Sequence, residues 1–146
     1  MIYSFVLAVV LFFQASVHFL TSSGVDPEIK PYWDKEVAVL EDMCGKKIEM
    51  PSKVYVDFGD TEGAIGYCQP FLNGFKIILS KPYWDKVLDR VGKRQLLLHE
   101  MMHCIFKEKH NTLDPTSFMY PEYTEIKEEA LMAQVYVLVK KNERCR

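Results

Sequence analysis

The sequence predicts one small α+β domain, in which a short, mostly three-stranded sheet packs on a scaffold helix, a long central helix and a C-terminal helix. Short segments with strand character follow one another between residues 53 and 80, and stretches with helical spacing of apolar residues lie on either side of them. Strands grouped in one part of a chain and helices in another are typical of the α+β class. The 123 residues from 24 to 146 suffice for one hydrophobic core and are too few for two domains.

The composition is that of an ordinary globular protein. Hydrophobic residues make up 49% of the 146 residues and charged residues 26%, which excludes a disordered chain. The formal net charge is −2, and lysines and arginines are scattered along the chain. This charge pattern predicts no nucleic-acid partner.

Residues 1–23 are predicted to be a signal peptide or an N-terminal membrane anchor, and residues 24–146 the folded domain. The segment from Ile2 to Leu20 contains no charged side chain and is rich in Val, Leu, Ile and Phe. A buried core helix is the third interpretation of this segment. The first two predict an exported or membrane-anchored protein, on the periplasmic or extracellular side or in a host envelope, with membrane association through residues 2–20.

The first helix of the domain is predicted to begin at Pro31, after a short polar linker over residues 24–30. Proline fits the first turn of a helix, and Gly45 provides a position where the helix can end. The hexapeptide that begins at Lys30 recurs over residues 81–86. Because the flanking residues differ, the recurrence predicts two similar helix starts rather than a repeat architecture.

Three strands are predicted next. Residues 53–58 alternate in polarity and are rich in β-branched and aromatic side chains. Residues 64–69 form a weaker strand, ended by Pro70, which is expected at an edge of the sheet. A hairpin turn at Asn73-Gly74 leads into residues 75–80, whose continuous apolar run indicates the central strand.

The second half of the chain is predicted to be mainly helical. A first stretch runs from Pro82 to about Val91, and Gly92 separates it from a helix over residues 93–106. A loop rich in turn formers follows at residues 111–117. The final helix is expected over about residues 124–142, where apolar residues recur at helical spacing.

The central helix contains the pattern His-Glu-x-x-His, formed by His99, Glu100 and His103. Residues four apart lie on one face of a helix, so both imidazoles can bind a single zinc ion. Glu100 is rotated by about 100° from His99, which places it beside the metal as a general base. Apolar residues surround these side chains, and a bound metal would offset the cost of burying them.

A catalytic zinc ion usually has three protein ligands and one open position. His110 is the favoured third ligand, because the chain between it and His103 is long enough for the helix to end and turn back. The alternatives are three glutamates near the start of the next helix and a cysteine in the edge strand: Glu125, Glu128, Glu129 and Cys68.

The run from His99 to His110, followed by residues 117–121, resembles the metzincin pattern, in which an extended zinc motif precedes a turn whose methionine lies under the metal. Met119 stands at the position of that methionine. The chain is also similar to putative metallopeptidases of phages and bacteria in which a cysteine follows the second histidine, as Cys104 does. The resemblance covers about residues 50–142.

Three positions depart from the metzincin pattern. Pro121 stands two residues after the turn methionine, where several metzincins have a tyrosine that can approach the metal. Phe106 stands where a glycine usually ends the helix, and Lys109 stands where the third ligand is expected, one residue before His110. The resemblance implies a zincin-like domain in which the edge strand, about Ala64 to Cys68, binds an extended peptide.

Together these features predict a zinc-dependent endopeptidase that acts on a peptide or protein substrate. Zinc would activate the attacking water, and Glu100 would accept its proton and pass it to the leaving amine. Tyr120 and Tyr123 are lesser candidates for a donor to the transition state. The alternatives are a zinc amidase or deformylase-type hydrolase, with Cys68 or a glutamate completing the site, and a non-catalytic binding protein stabilised by zinc.

The four cysteines permit disulfides in an exported chain. They are Cys44, Cys68, Cys104 and Cys145, which allow three pairings that the sequence does not distinguish. Cys104 lies in the metal-binding helix, where a buried thiol is expected rather than a catalytic nucleophile.

Overall fold

The structure is a computed structural model that describes residues 24–146. The signal peptide or anchor predicted over residues 1–23 lies outside the described residues. From residue 24 onward, no helix has both the length and the apolar character needed to cross a membrane.

A four-stranded mixed sheet confirms the predicted α+β class. Its strands are β1 (Gly24–Val25), β2 (Lys53–Phe58), β3 (Gly66–Phe71) and β4 (Gly74–Leu79), in the spatial order β1-β2-β4-β3. β2 pairs in parallel with both β1 and β4, whereas β3 and β4 form an antiparallel hairpin. The edge position of β3 and the central position of β4 are therefore as predicted.

Two details of the sheet differ from the prediction. Residues 24–25 were expected in a linker, but they form β1, so the sheet has four strands among the described residues and not three. Two residues are too few to produce a recognisable pattern. In addition, β3 continues through Pro70 to Phe71, because a strand at a sheet edge tolerates a residue without an N–H.

The scaffold helix α1 spans Lys30–Cys44 with the ends that the sequence predicts. Pro31 lies in its first turn, and Gly45 follows it with a φ of 77°, a left-handed conformation that glycine adopts without steric cost. The repeated hexapeptide also begins the short helix α2 (Lys81–Lys86). Each copy forms the same lysine–aspartate ion pair across one helical turn, so the prediction of two similar helix starts is confirmed.

The central helix α3 spans Arg90–Met101 and continues as a π-helical turn, Met102–Phe106. The predicted break at Gly92 was wrong. Asp89 caps the helix by accepting a hydrogen bond from the Gly92 N–H at 2.7 Å, so Gly92 lies in the first turn.

The C-terminal helix α4 spans Glu128–Lys141 and begins four residues later than predicted. Gln95 of α3 causes the difference. Its amide nitrogen donates to the Thr124 carbonyl at 2.6 Å, and its amide oxygen accepts from the Ile126 N–H at 3.2 Å. These bonds hold residues 124–126 in a non-helical conformation.

Two disulfides cross-link the domain. Cys44 at the end of α1 is bonded to Cys145, and Cys68 of β3 is bonded to Cys104 of the π-helical turn. The prediction of a free buried thiol at Cys104 was therefore wrong. The second bond joins the edge strand covalently to the segment that carries the histidines.

One hydrophobic core lies between the sheet and helices α1, α3 and α4. It contains Leu40, Ile77, Leu97, Met101 and Leu131, which are completely buried. The core also contains an ionic cluster, because the Arg94 guanidinium of α3 pairs with Glu36 of α1 and with Glu128 of α4. The cluster ties the three helices together and fixes the orientation of α3 above the sheet.

Candidate metal centre

Three histidines converge at the C-terminal end of α3. His99 lies in the last turn of the helix, His103 in the π-helical turn, and His110 after the chain has reversed. The Nε2 atoms of His99 and His103 are 3.1 Å apart, and those of His99 and His110 are 3.2 Å apart. One nitrogen from each of the three residues lies within 4.8 Å of the others, so the group could hold a metal ion.

The opposite ring nitrogens determine which tautomer two of these histidines adopt. The Nδ1 atom of His99 lies 2.7 Å from the Phe118 carbonyl oxygen, and the Nδ1 atom of His103 lies 2.7 Å from the Glu108 carbonyl oxygen. A carbonyl oxygen only accepts hydrogen bonds, so both Nδ1 atoms carry the proton in the neutral rings. Both Nε2 atoms therefore present lone pairs.

These lone pairs face each other across 3.1 Å, which is unfavourable unless a cation lies between them. Burial and the two neighbouring imidazoles lower the pKa of His99 to about 4, so this ring is neutral near neutral pH and keeps its Nε2 lone pair. Tetrahedral zinc with Zn–N bonds of 2.0–2.1 Å places ligand nitrogens roughly 3.3 Å apart. The donor set and its spacing fit a divalent metal.

The π-helical turn explains why His110 comes one residue later than in the metzincin pattern. A π-turn contains one more residue than an α-turn. The chain therefore reverses at Lys107, whose φ is 61°, and not at Phe106, where the pattern has glycine. The extra residue brings His110 rather than Lys109 into the histidine group.

Glu100 lies beside the histidines and is 3% exposed. Burial raises the pKa of its carboxyl to about 8. Its Oε1 atom lies close to Gly66 of β3, where an added Cβ would be 3.2 Å away. The absence of a side chain at Gly66 thus allows the edge strand to approach the carboxyl group closely.

A cavity of about 680 Å³ opens over the histidines and Glu100. Residues 63–68 of β3 and the preceding turn form one wall, and residues 118 and 120–123 line another part of the cavity. Since β3 is an edge strand, its outer backbone groups border the cleft. The cleft is large enough for a peptide segment of several residues.

The alternative third ligands lie elsewhere. Cys68 is bonded to Cys104 and has no thiolate to offer. Glu128 pairs with Arg90 and Arg94, while Glu125 and Glu129 are exposed and do not belong to the histidine group.

Met119 is buried at 2% exposure and follows Phe118, whose carbonyl oxygen orients His99. The Met119 carbonyl accepts a hydrogen bond from the Asn111 N–H at 2.9 Å, which ties this turn to the residue after His110. Tyr120 and Tyr123 both line the cleft, and the Tyr123 ring packs edge-on against Tyr83.

Several functional contacts had no signal in the sequence. The carbonyls of Phe118 and Glu108 orient the histidines through backbone atoms, which any residue type supplies. Gly66 lies within the predicted edge strand, and nothing in the sequence indicated its close approach to Glu100.

Comparisons of the chain with protein-family models, with curated proteins and with solved structures found no match.

Proposed function

We propose that this protein is a zinc-dependent endopeptidase with a metzincin-like centre, in which His99, His103 and His110 bind the ion and Glu100 is the general base. One observation carries the proposal. Nε2 atoms of the three imidazoles converge at the floor of an open cleft, next to a buried carboxyl group. Three protein ligands with a position open to the cleft are typical of a catalytic zinc site, whereas structural sites usually have four.

The donors support zinc as the metal. Imidazole ligands suit zinc, copper, iron and nickel, and three of them with one open position form a common catalytic zinc site. Bound zinc supplies Lewis acidity that lowers the pKa of water and polarises a carbonyl group.

The protein's own residues account for the remaining steps. Burial alone raises the pKa of the Glu100 carboxyl to about 8, and a cation bound beside it would lower that pKa, so that the carboxylate could accept a proton from the attacking water and donate it to the leaving amine. The Phe118 and Glu108 carbonyls hold two ligands in a single tautomer, so the rings need not reorient when the metal binds. The outer backbone groups of β3 can pair with an extended peptide as an added strand.

No specific observation favours the alternative functions. The amidase or deformylase-type site would use Cys68 or a glutamate, but Cys68 is in a disulfide and Glu128 is in an ion-pair cluster. A non-catalytic zinc protein has no use for a buried glutamate at the metal.

Two further features support the proposal. The turn that contains Met119 is attached both to His99, through Phe118, and to the segment after His110, as a turn beneath a metal requires. The two disulfides support export, because disulfides persist mainly in oxidising compartments.

The test compares metal content with hydrolysis of a peptide pool prepared from a proteome digest, with cleavage products identified by mass spectrometry. We expect the wild type to bind one zinc per chain and to cleave internal bonds. Glu100→Gln should retain zinc and lose roughly 100-fold or more of the rate. His110→Ala should lose zinc, and the exposed-residue control Glu129→Gln should behave as wild type.

Three results would overturn the proposal: a zinc-free wild type, zinc-loaded wild type that cleaves no internal bond, or full activity in Glu100→Gln. Release of formyl or acyl groups without internal cleavage would instead support the amidase class.

A further inference from the structure

The tip of the β3–β4 hairpin exposes apolar side chains. Leu72 is 85% exposed and Phe71 is 41% exposed. Turns between strands usually contain polar residues or glycine. A leucine that is almost fully exposed, as Leu72 is, is therefore unusual on a surface that contacts only solvent.

The uncharged N-terminal segment joins the domain at the same end of the sheet. β1 and β2 are parallel and begin at the same end, with Gly24 paired to Tyr55. The Lys53 N–H at the start of β2 donates to the Asn73 carbonyl in the hairpin turn at 3.1 Å, and the Tyr55 and Phe71 rings lie 6.0 Å apart. The strands β1 and β3 are three strand spacings apart, or roughly 14 Å.

Basic residues collect at this end as well. The segment 44–53 leads into β2, the disulfide Cys44–Cys145 brings residues 143–146 beside it, and the Ser52 hydroxyl donates to the Asn73 carbonyl. Together these two segments contain five exposed basic residues and two acidic ones: Lys46, Lys47, Lys53, Arg144 and Arg146 against Glu49 and Glu143. Lys47 also forms an ion pair with Glu41 of α1 at 2.6 Å. With Glu41 included, the net charge at this end is +2, whereas the whole chain has a net charge of −2, so the remainder carries −4.

The opposite end of the sheet has the reverse character. Residues 24–30, 54–62 and 80–90, which include or follow the carboxyl ends of β1, β2 and β4, contain seven acidic and four basic residues, a net charge of −3. The domain is therefore polarised along its strands, with the apolar tip at the basic end.

We propose that this end, defined by the hairpin tip 71–73 and the segments 44–53 and 143–146, is a membrane-facing surface. Leu72 enters the lipid interface, and the basic side chains contact anionic headgroups. The occupant is a lipid bilayer, because the uncharged run Ile2–Leu20 joins the domain at this same end. Since β3 runs from Gly66 beside Glu100 to the tip, the length of the strand separates Glu100 from the tip by roughly 17 Å.

The experiment uses the full chain reconstituted into vesicles that contain brominated lipids, which quench tryptophan fluorescence on contact. The native Trp33 and Trp84 are 8% and 0% exposed, so they contribute a low background. Leu72→Trp places a probe at the tip. Val87→Trp is the matched control, because Val87 is 58% exposed and follows α2 at the opposite end of the sheet.

We expect bromolipid quenching of Leu72→Trp to exceed that of Val87→Trp at least twofold. The difference should be larger in vesicles that contain phosphatidylglycerol than in pure phosphatidylcholine, and it should shrink when Lys46→Glu and Lys53→Glu are added to Leu72→Trp. Far-ultraviolet circular dichroism and the melting temperature must match those of the wild type for each variant, which excludes misfolding.

Equal quenching of the two probes would overturn the proposal, and so would failure of the full chain to bind vesicles. If the protein binds vesicles but the fluorescence of Leu72→Trp is not quenched, the hairpin tip does not contact lipid. The membrane-facing surface would then be rejected, and the apolar residues would contact either a protein partner or only water.

Discussion

A single methyl group at Gly66 tests whether the edge strand approaches Glu100, the proposed general base, as closely as the structure indicates. The added Cβ would lie 3.0 Å from Leu79 Cδ2, 3.2 Å from Glu100 Oε1 and 3.3 Å from the Ile78 carbonyl oxygen. Ordinary contacts between carbon atoms are about 3.5–4.0 Å. The Ile78 oxygen belongs to the central strand and cannot move alone, so β3 or the Glu100 carboxyl must shift. Overpacking of this kind costs about 1–3 kcal/mol.

Gly66→Ala should also reduce hydrolysis if Glu100 is the base. A displacement of 1 Å in a catalytic group can cost roughly 100-fold, and a shift of a few tenths of an ångström should cost roughly tenfold. None of the three atoms nearest to the added methyl group belongs to a histidine, so zinc content should not change. The variant therefore separates positioning of the base from binding of the metal.

Gly24→Ala is the matched control. Gly24 also lies in a strand, but an added Cβ there meets no atom within 4 Å. Both substitutions restrict the unfolded chain equally, so the difference between them in urea unfolding reports the contacts at Gly66. If Gly66→Ala matches Gly24→Ala in both stability and hydrolysis, the close approach of β3 to Glu100 is wrong.

Four further outcomes are expected. Replacing Cys68 and Cys104 by alanine should lower the free energy of unfolding by about 4 kcal/mol, because the bond closes a loop with a sequence separation of 36; a loss under about 1 kcal/mol in urea titrations would contradict this. Lys107→Gly should raise stability by about 1 kcal/mol, since Lys107 has a φ of 61°, whereas Lys107→Ala should not. Arg94→Met should destabilise by about 3–5 kcal/mol by leaving Glu36 charged and buried, and adding Glu36→Leu should recover most of the loss in thermal melts. Chelation of zinc should lower the melting temperature, because zinc at 1,000 times its dissociation constant stabilises the fold by about 4 kcal/mol; an unchanged melting temperature would argue against a metal held by the folded state.

Local signals predicted the elements whose ends are determined by their own residues. Pro31 and Gly45 determine the two ends of α1, and β2 occupies the range that its alternating pattern predicts. Helical spacing likewise brought His99, Glu100 and His103 together, because residues four apart on a helix are neighbours in any fold.

Long-range contacts determine what the sequence did not reveal. The start of α4 depends on Gln95, which lies 29 residues before Thr124 and holds it in a non-helical conformation. The disulfide pairing depends on which strand lies beside the π-helical turn, and four cysteines alone permit three answers. β1 exists because β2 offers a parallel partner, since two residues have no periodicity of their own.

The same distinction divides the site into a local part and a long-range part. All three proposed metal ligands come from residues 99–110, a continuous segment that a helix, a π-helical turn and one reversal bring to a single point. Glu100 belongs to that segment, but the wall it faces is β3, which is held there by sheet pairing and by the bond between Cys68 and Cys104. Metal affinity should therefore depend little on β3, whereas hydrolysis should depend on it strongly. A variant that loses contacts to β3 should therefore keep its zinc and lose its activity. That result would show that metal binding and hydrolysis depend on different parts of the chain, as the separate origins of the two parts imply.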